Sequence, residues 1–81
     1  MDMSELHKIL RSALPQVDWQ TPCALVSDGV ITSLDILVLI AEIYREKRIR
    51  IPSNEMKASR FNSPEAILAL CNQYENGRNG R

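Results

Sequence analysis

Residues 34–44 constrain the fold more than any other part of the chain. Nine of these eleven residues are apolar or aromatic, and only Asp35 and Glu42 interrupt them. The chain has 81 residues, which is enough for one domain with one core. A helix in so small a domain cannot bury apolar side chains on every side. Part of this segment must therefore face a partner, an attached group or a second copy of the chain.

We predict that this segment forms the second helix, which begins near Thr32 and Ser33 and ends at about Lys47. Thr32 is suited to the N-cap, and Asp35, three residues later, can complete a reciprocal capping pair. The cations that follow Tyr44 complement the C-terminal end of the helix dipole. The side chains that we expect to point inward are Ile36, Leu39, Ile40 and Ile43. Those that we expect at or near the surface are Leu34, Leu37, Ala41 and Tyr44.

The first helix is predicted over residues 4–14, where the apolar residues recur on one stripe. Asp2 or Ser4 can cap its start, Glu5 has the spacing for a capping box with Asp2, and Pro15 ends it. Residues 15–32 then form a long connection, which we expect to be pinned to the helices by its own apolar side chains. These are Val17, Trp19, Leu25, Val26, Val30 and Ile31. Trp19 is interpreted as a loop anchor rather than a ligand platform.

After the second helix, Pro52 prevents continuation, and a short third helix or turn is predicted over residues 53–59, followed by Phe61 as a lone large anchor. The last helix is predicted to start with Ser63 as cap and Pro64 at the first helical position. Its apolar face is supplied by Ala66, Ile67, Leu70, Cys71 and Tyr74. The sequence thus favours an all-α fold of three longer helices and one short one, with a long first loop. We expect a single domain over residues 1–75 and a flexible tail over residues 76–81.

Composition narrows the classes of function. The formal net charge is zero, but residues 1–44 sum to −4 and residues 45–81 to +4, so a partner could recognise either an acidic or a basic half. No stretch approaches the about 20 apolar residues of a membrane span, and the N-terminus lacks the pattern of a secretory signal. Cys23 and Cys71 stand alone, and two reduced cysteines are favoured over a disulfide. A cytoplasmic location fits best.

The groups that catalysis would require are scarce. His7 is expected on the exposed, polar side of the first helix, without a visible nucleophile or carboxylate partner. Metal-ligand spacing and a glycine-rich phosphate loop are both missing from the sequence. We therefore do not expect an enzyme.

Ser33 is the one candidate for chemistry, because of its setting. It follows a loop and opens a long apolar helix, so its hydroxyl should be accessible and rigidly presented. The N–H groups and the dipole of a helix N-terminus favour a phosphodiester at this position. Serine is also common as a plain cap or first-turn residue, so the local pattern leaves both roles open.

Four segments, taken in order, resemble the acyl carrier and peptidyl carrier proteins. They are LVSDG at residues 25–29, SLD at 33–35 with the apolar helix through Glu42 and Ile43, IRIP at 49–52, and FNSPEAI at 61–67. The resemblance covers about residues 4–74. It implies a four-helix acyl-carrier-like bundle whose Ser33 is modified by a phosphopantetheinyl transferase that uses coenzyme A.

By the same resemblance, the 4'-phosphopantetheine arm on Ser33 holds an acyl or aminoacyl group as a thioester, in fatty-acid or specialised-metabolite biosynthesis. An acyl- or aminoacyl-activating ligase loads the arm, and a downstream transferase or synthase receives the cargo. The carrier itself performs no chemistry and is expected to be a monomer. The residues expected to contact partners are Leu34, Asp35, Leu37, Val38, Ala41 and Tyr44.

Two departures from the family pattern qualify this expectation. Thr32 stands where the family usually has Asp before the serine, which bears on which transferase accepts the protein. The family's second helix is commonly acidic on its recognition face, whereas here Val38 and Tyr44 occupy such positions and Arg45 follows. We therefore expect less basic and more apolar partners, in a dedicated pathway such as aminoacyl or specialised-metabolite transfer.

Two other interpretations compete with the carrier. A non-enzymatic helical interaction module would use the exposed apolar part of the second helix and needs no modification. A nucleic-acid binder would use the basic residues 45–50. Zero net charge, few aromatic residues and the nearby Glu46 argue against nucleic acid.

Overall fold

The computed structural model describes residues 1–20 and 24–79, with side chains described through Glu75. Four α-helices follow one another along the chain: α1 (Met3–Ala13), α2 (Ser33–Lys47), α3 (Ala58–Phe61) and α4 (Pro64–Asn79). A 3₁₀ turn (Ser53–Glu55) precedes α3. Strands do not occur in the described part of the chain, which confirms the all-helical expectation. None of the helices described is both long and apolar enough to cross a membrane.

The third helix was predicted as one element over residues 53–59, and this is wrong in detail. The backbone leaves the helical region at Met56 (φ −75°, ψ 71°) and is extended at Lys57 (φ −127°, ψ 149°). The chain therefore makes a 3₁₀ turn and then a separate single turn, α3. Phe61 closes that turn and is fully buried, so the predicted anchor belongs to a helix rather than following one.

Helices α1 and α2 begin with the same reciprocal capping box. At α1, Glu5 N–H donates to Asp2 Oδ1 (2.9 Å) and Asp2 N–H donates to Glu5 Oε1 (3.2 Å). At α2, Asp35 N–H donates to Thr32 Oγ1 (3.3 Å) and Thr32 N–H donates to Asp35 Oδ2 (3.0 Å). Each box satisfies two N–H groups that have no partner within the helix. Both predicted caps are confirmed.

Helix α4 starts as predicted, because the hydroxyl of Ser63 accepts from Ala66 N–H (3.1 Å) and Pro64 occupies the first helical position. The backbone remains helical to Asn79, which includes the first four residues of the predicted tail. Residues 80–81 lie outside the described residues. The flexibility of residues 76–81 stays a prediction.

One core joins all four helices. Helix α1 packs against α2 and α4, and α3 packs against α4. Ion pairs tie the start of α1 to the end of α2 (Glu5 with Lys47) and the Met1 amine to Glu75 near the end of α4 (2.8 Å), so α1 runs antiparallel to both. The buried core residues of the helices are Leu6, Ile9, Leu10, Ile36, Leu39, Ile43, Phe61, Ile67, Leu70 and Cys71.

The inward set predicted for α2 is confirmed with one exception. Ile36, Leu39 and Ile43 are buried, whereas Ile40 is half-buried. Beyond the helix, Ile49 and Ile51 extend the same core because they alternate with outward-facing arginines.

The first connection is held by side chains that enter the core. Trp19 is 8% exposed and its indole N–H donates to the Leu14 carbonyl (3.2 Å), which confirms its role as a loop anchor. Leu25 and Ile31 are buried, and Ile31 N–H donates to the Leu25 carbonyl (3.0 Å). Val30 is exposed instead. Cys23, for which a reduced thiol was predicted, lies outside the described residues.

Candidate functional site at the start of helix α2

Ser33 is the first residue of α2 and its side chain is exposed. The N–H groups of Thr32 and Asp35 are hydrogen-bonded within the capping box. The N–H groups of Ser33 and Leu34 come before the first intrahelical hydrogen bond, which Ile36 N–H donates to the Thr32 carbonyl (3.0 Å). The helix start therefore offers an accessible hydroxyl beside two N–H groups that have no partner within the helix, an arrangement suited to an anion.

The chain approaches Ser33 through a tight turn. Asp28 closes it twice, since its N–H donates to the Ala24 carbonyl (2.7 Å) and its Oδ2 accepts from Ala24 N–H (3.1 Å). Gly29 follows with φ +75°, a left-handed conformation that glycine adopts without steric cost. The turn then returns Ile31 to the core, and this fixes where Thr32 and Ser33 emerge.

Asn62, which lies between α3 and α4, holds this turn through four hydrogen bonds. Its Oδ1 accepts from Val26 N–H (2.8 Å) and Ser27 N–H (3.0 Å), its Nδ2 donates to Ser27 Oγ (3.0 Å), and its carbonyl accepts from Leu25 N–H (2.8 Å). Sequence reasoning missed this role. The one available signal was an Asn beside a helix start, which gives no indication of a partner about 36 residues earlier in the chain.

An apolar surface extends along α2 from Ser33. We call it the α2 apolar face, and its members are Leu34, Leu37, Val38, Ala41 and Tyr44. The exposed fractions are 69% for Leu34 and 50% for Leu37, and the other three are also exposed. These are the predicted partner-contact residues, apart from Asp35. Asp35 is half-buried and its carboxylate is held in the capping box.

Two arginines close the far end of the α2 apolar face. The guanidinium carbons of Arg48 and Arg50 each lie 5.3 Å from the centre of the Tyr44 ring. Hydrogen bonds from Arg50 and then from Arg48 lower the pKa of the Tyr44 phenol. Arg48 adopts the left-handed conformation (φ 57°) that ends α2. The cationic run was predicted only as the end of the helix, and its convergence on Tyr44 was missed.

The structure also places two further candidate groups, His7 and Cys71. Clusters of His, Cys, Asp and Glu with the makings of a metal site are missing from the described residues. His7 is half-buried rather than exposed as predicted, and its buried Nδ1 has no hydrogen-bond partner among the described residues. Cys71 is a free thiol, and burial raises its pKa to about 11, so it holds little of the reactive thiolate at neutral pH.

Comparison with known proteins adds no relative. The chain matches none of the protein-family models, curated proteins or solved structures with which it was compared. The resemblance to carrier proteins therefore rests on the residues of this chain.

Proposed function

We propose that this protein is an acyl- or aminoacyl-carrier protein that bears a 4'-phosphopantetheine arm on Ser33. The observation that carries the proposal is the placement of Ser33: an exposed hydroxyl at the first position of a capped helix, with an exposed apolar face beside it. Attachment needs an accessible hydroxyl, and transfer of the cargo needs a surface on which partner enzymes dock.

The start of α2 is suited to a phosphodiester. The N–H groups of Ser33 and Leu34 and the positive end of the helix dipole favour an anion at this point. The capping box and the turn closed by Asp28 and Asn62 keep the site in one position. A rigid attachment point with a flexible arm delivers cargo at an effective concentration of about millimolar to a docked enzyme.

The α2 apolar face is the proposed docking surface for the phosphopantetheinyl transferase, the loading ligase and the downstream transferase or synthase. Leu34 adjoins the attachment point, and Tyr44 marks the far end. Asp35 contributes by holding the helix start, since its carboxylate is engaged there. We also propose that the carrier acts as a monomer in the cytoplasm.

The test is an intact-mass measurement after incubation with coenzyme A and a broad-specificity phosphopantetheinyl transferase. We expect a gain of one phosphopantetheine in the wild type and no gain in Ser33→Ala. Ser4→Ala is a matched control, because Ser4 is also an exposed serine in the first turn of a helix with the same capping box. A gain that persists in Ser33→Ala, or folded wild type that several transferases leave unmodified, refutes the proposal.

Thr32 provides a second, graded test. The resemblance implies that an Asp before the serine favours recognition, and Asp caps a helix about as well as Thr. Thr32→Asp should therefore raise the rate of modification while leaving the thermal midpoint nearly unchanged. An unchanged rate would show that Thr32 does not limit recognition.

The α2 apolar face also supports a second candidate, a helical interaction module without any modification. Substitution of Ser33 distinguishes the two functions. Ser33→Ala preserves binding of a partner to the module, whereas it abolishes the activity of a carrier. If Leu37→Asp removes the partner and Ser33→Ala does not, the module is the function.

A further inference from the structure

A pocket of about 320 Å³ opens at the far end of α2, on the side of the segment that follows the helix. Its walls are Ile40, Ala41, Tyr44, Arg50 and Ile51. Three of these side chains are aliphatic, so most of the lining is apolar. The volume lies at the low end of the about 300–1,000 Å³ that is typical of small-molecule sites. Any occupant is therefore small, and its body is apolar.

Arg50 lines this pocket, and Arg48 lies over the same Tyr44 ring but is not among the lining residues. Among the residues that the structure describes, the side-chain ion pairs engage Arg45, Lys47 and Arg60, and none engages Arg48 or Arg50. Both guanidiniums lie 5.3 Å from the centre of the same Tyr44 ring, so they are within twice that distance of one another. A carboxylate bound in the pocket would give Arg50 the anionic partner that it lacks.

We infer that this pocket binds a small organic acid, with the aliphatic body against Ile40, Ala41 and Ile51 and the carboxylate against Arg50. Arginine is suited to this role because its planar guanidinium can donate two parallel hydrogen bonds to one carboxylate. The Tyr44 ring forms the boundary between the two parts of the site, with its face toward the cations. Neither part alone explains the pocket, since a simple anion leaves the aliphatic wall exposed and a neutral chain leaves Arg50 without an anionic partner.

The pocket lies on the same helix as Ser33. Ala41 and Tyr44 follow Ser33 by eight and eleven residues, which corresponds to about 12–16 Å along the helix. If Ser33 bears the arm, the pocket favours a cargo that carries a free carboxylate at the end remote from the thioester. This last step rests on the proposed function, whereas binding of a free acid does not.

The experiment uses the unmodified protein and free ligands, so it is independent of the arm. Hexanoate is titrated while the backbone amide shifts are followed by ¹H–¹⁵N NMR, with hexanamide and acetate in parallel. We expect saturable shifts at Ala41, Tyr44, Arg50 and Ile51 with a Kd of roughly 1 mM, as suits so few contacts. Hexanamide lacks the charge and acetate lacks the body, so both should bind clearly more weakly.

Two matched variants test whether Arg50 is the cation that binds the carboxylate. Arg50→Met keeps the length and the apolar stem of the side chain, and it should weaken hexanoate about fivefold, the upper range for an exposed ion pair. Arg45→Met is the control, because Arg45 is exposed and pairs with Glu42 (3.6 Å), and it should leave the Kd within about twofold. Circular dichroism checks that both variants fold.

Three results overturn the inference: equal binding of hexanamide and hexanoate, equal weakening by Arg45→Met and Arg50→Met, or shifts that cluster away from the pocket. The two proposals also fail separately. If hexanoate binds but Ser33 is not modified, the inference about the pocket stands and the carrier function is refuted. If Ser33 is modified but hexanoate does not bind, the carrier function stands and the inference about the pocket is refuted.

Discussion

Helices α1 and α2 begin in the same way and then diverge. Each is started by a reciprocal capping box, and each contributes three buried residues to the core within its span. Helix α1 presents a polar surface to solvent, whereas α2 exposes Leu34, Leu37, Val38 and Tyr44. Since α1 shows that a single apolar stripe suffices to join this core, the additional apolar residues of α2 are not required by the fold. The proposed docking of partner enzymes on this face accounts for their exposure.

The largest expected effect concerns the buried residues that both helices contribute to the core. Leu10 in α1 and Leu39 in α2 are both fully buried. Replacing either by Ala leaves a cavity and should lower the free energy of unfolding by about 2–5 kcal/mol. Urea denaturation of the two variants measures this. A cost for Leu39→Ala close to zero would remove α2 from the core.

The second largest effect is expected from the loss of a capping box. Thr32→Ala removes the acceptor for Asp35 N–H and should cost about 1 kcal/mol. The same urea experiment measures it, and amide hydrogen exchange should report faster exchange in the first turn of α2 only. Loss of protection throughout α1 as well would mean that the two helix starts are not independent.

A smaller effect is expected where the end of α2 meets the start of α1. The hydrogen bond from Lys47 lowers the pKa of Glu5 from its ordinary value of 4.5. A carboxyl whose pKa is lower in the folded state stabilises the fold above pH 4.5, and this contribution disappears as the pH falls through the folded-state pKa. Glu5→Gln should therefore be less stable than wild type at pH 7, and the difference should vanish in strong acid.

The paired charges are partly exposed to solvent, so salt should also reduce the difference at pH 7. Thermal unfolding at low and high ionic strength measures this. A difference between Glu5→Gln and wild type that persists in strong acid would show that the substitution acts through something other than the ion pair.

The smallest expected effect on stability concerns the exposed apolar residues, which α2 has and α1 lacks. Leu37 is 50% exposed, and Leu37→Ala should change the free energy of unfolding by no more than about 0.5 kcal/mol. The same variant should slow modification of Ser33 if the α2 apolar face is where the transferase docks. A large loss of stability would assign Leu37 to the fold rather than to binding.

Much of this fold could be predicted from local sequence. Helix periodicity separated Ile36, Leu39 and Ile43 from Leu34, Leu37 and Tyr44, because the two sets differ in their angle around the helix axis. The caps at Asp2, Thr32 and Ser63 could be predicted because each cap bonds within three residues of itself.

The errors concern contacts between distant parts of the chain. Asn62 binds a turn more than thirty residues earlier, and no local pattern contains both ends of such a contact. Ile40 is half-buried because it lines an open pocket together with Arg50 and Ile51, and the position of these two residues depends on the path of the chain after α2. The break at Met56 and Lys57 is a backbone choice between two helical turns that have similar composition, and periodicity does not resolve it.

The role of Asn62 has a mechanical consequence. Its neighbour Ser63 caps α4, while its own side chain holds the turn that leads to Ser33. The beginning of α4 and the turn before Ser33 are thus connected through Asn62, although they are far apart in the sequence. We therefore expect a shift of the first turn of α4 to move the turn that precedes Ser33 as well, because Asn62 bonds to that turn directly.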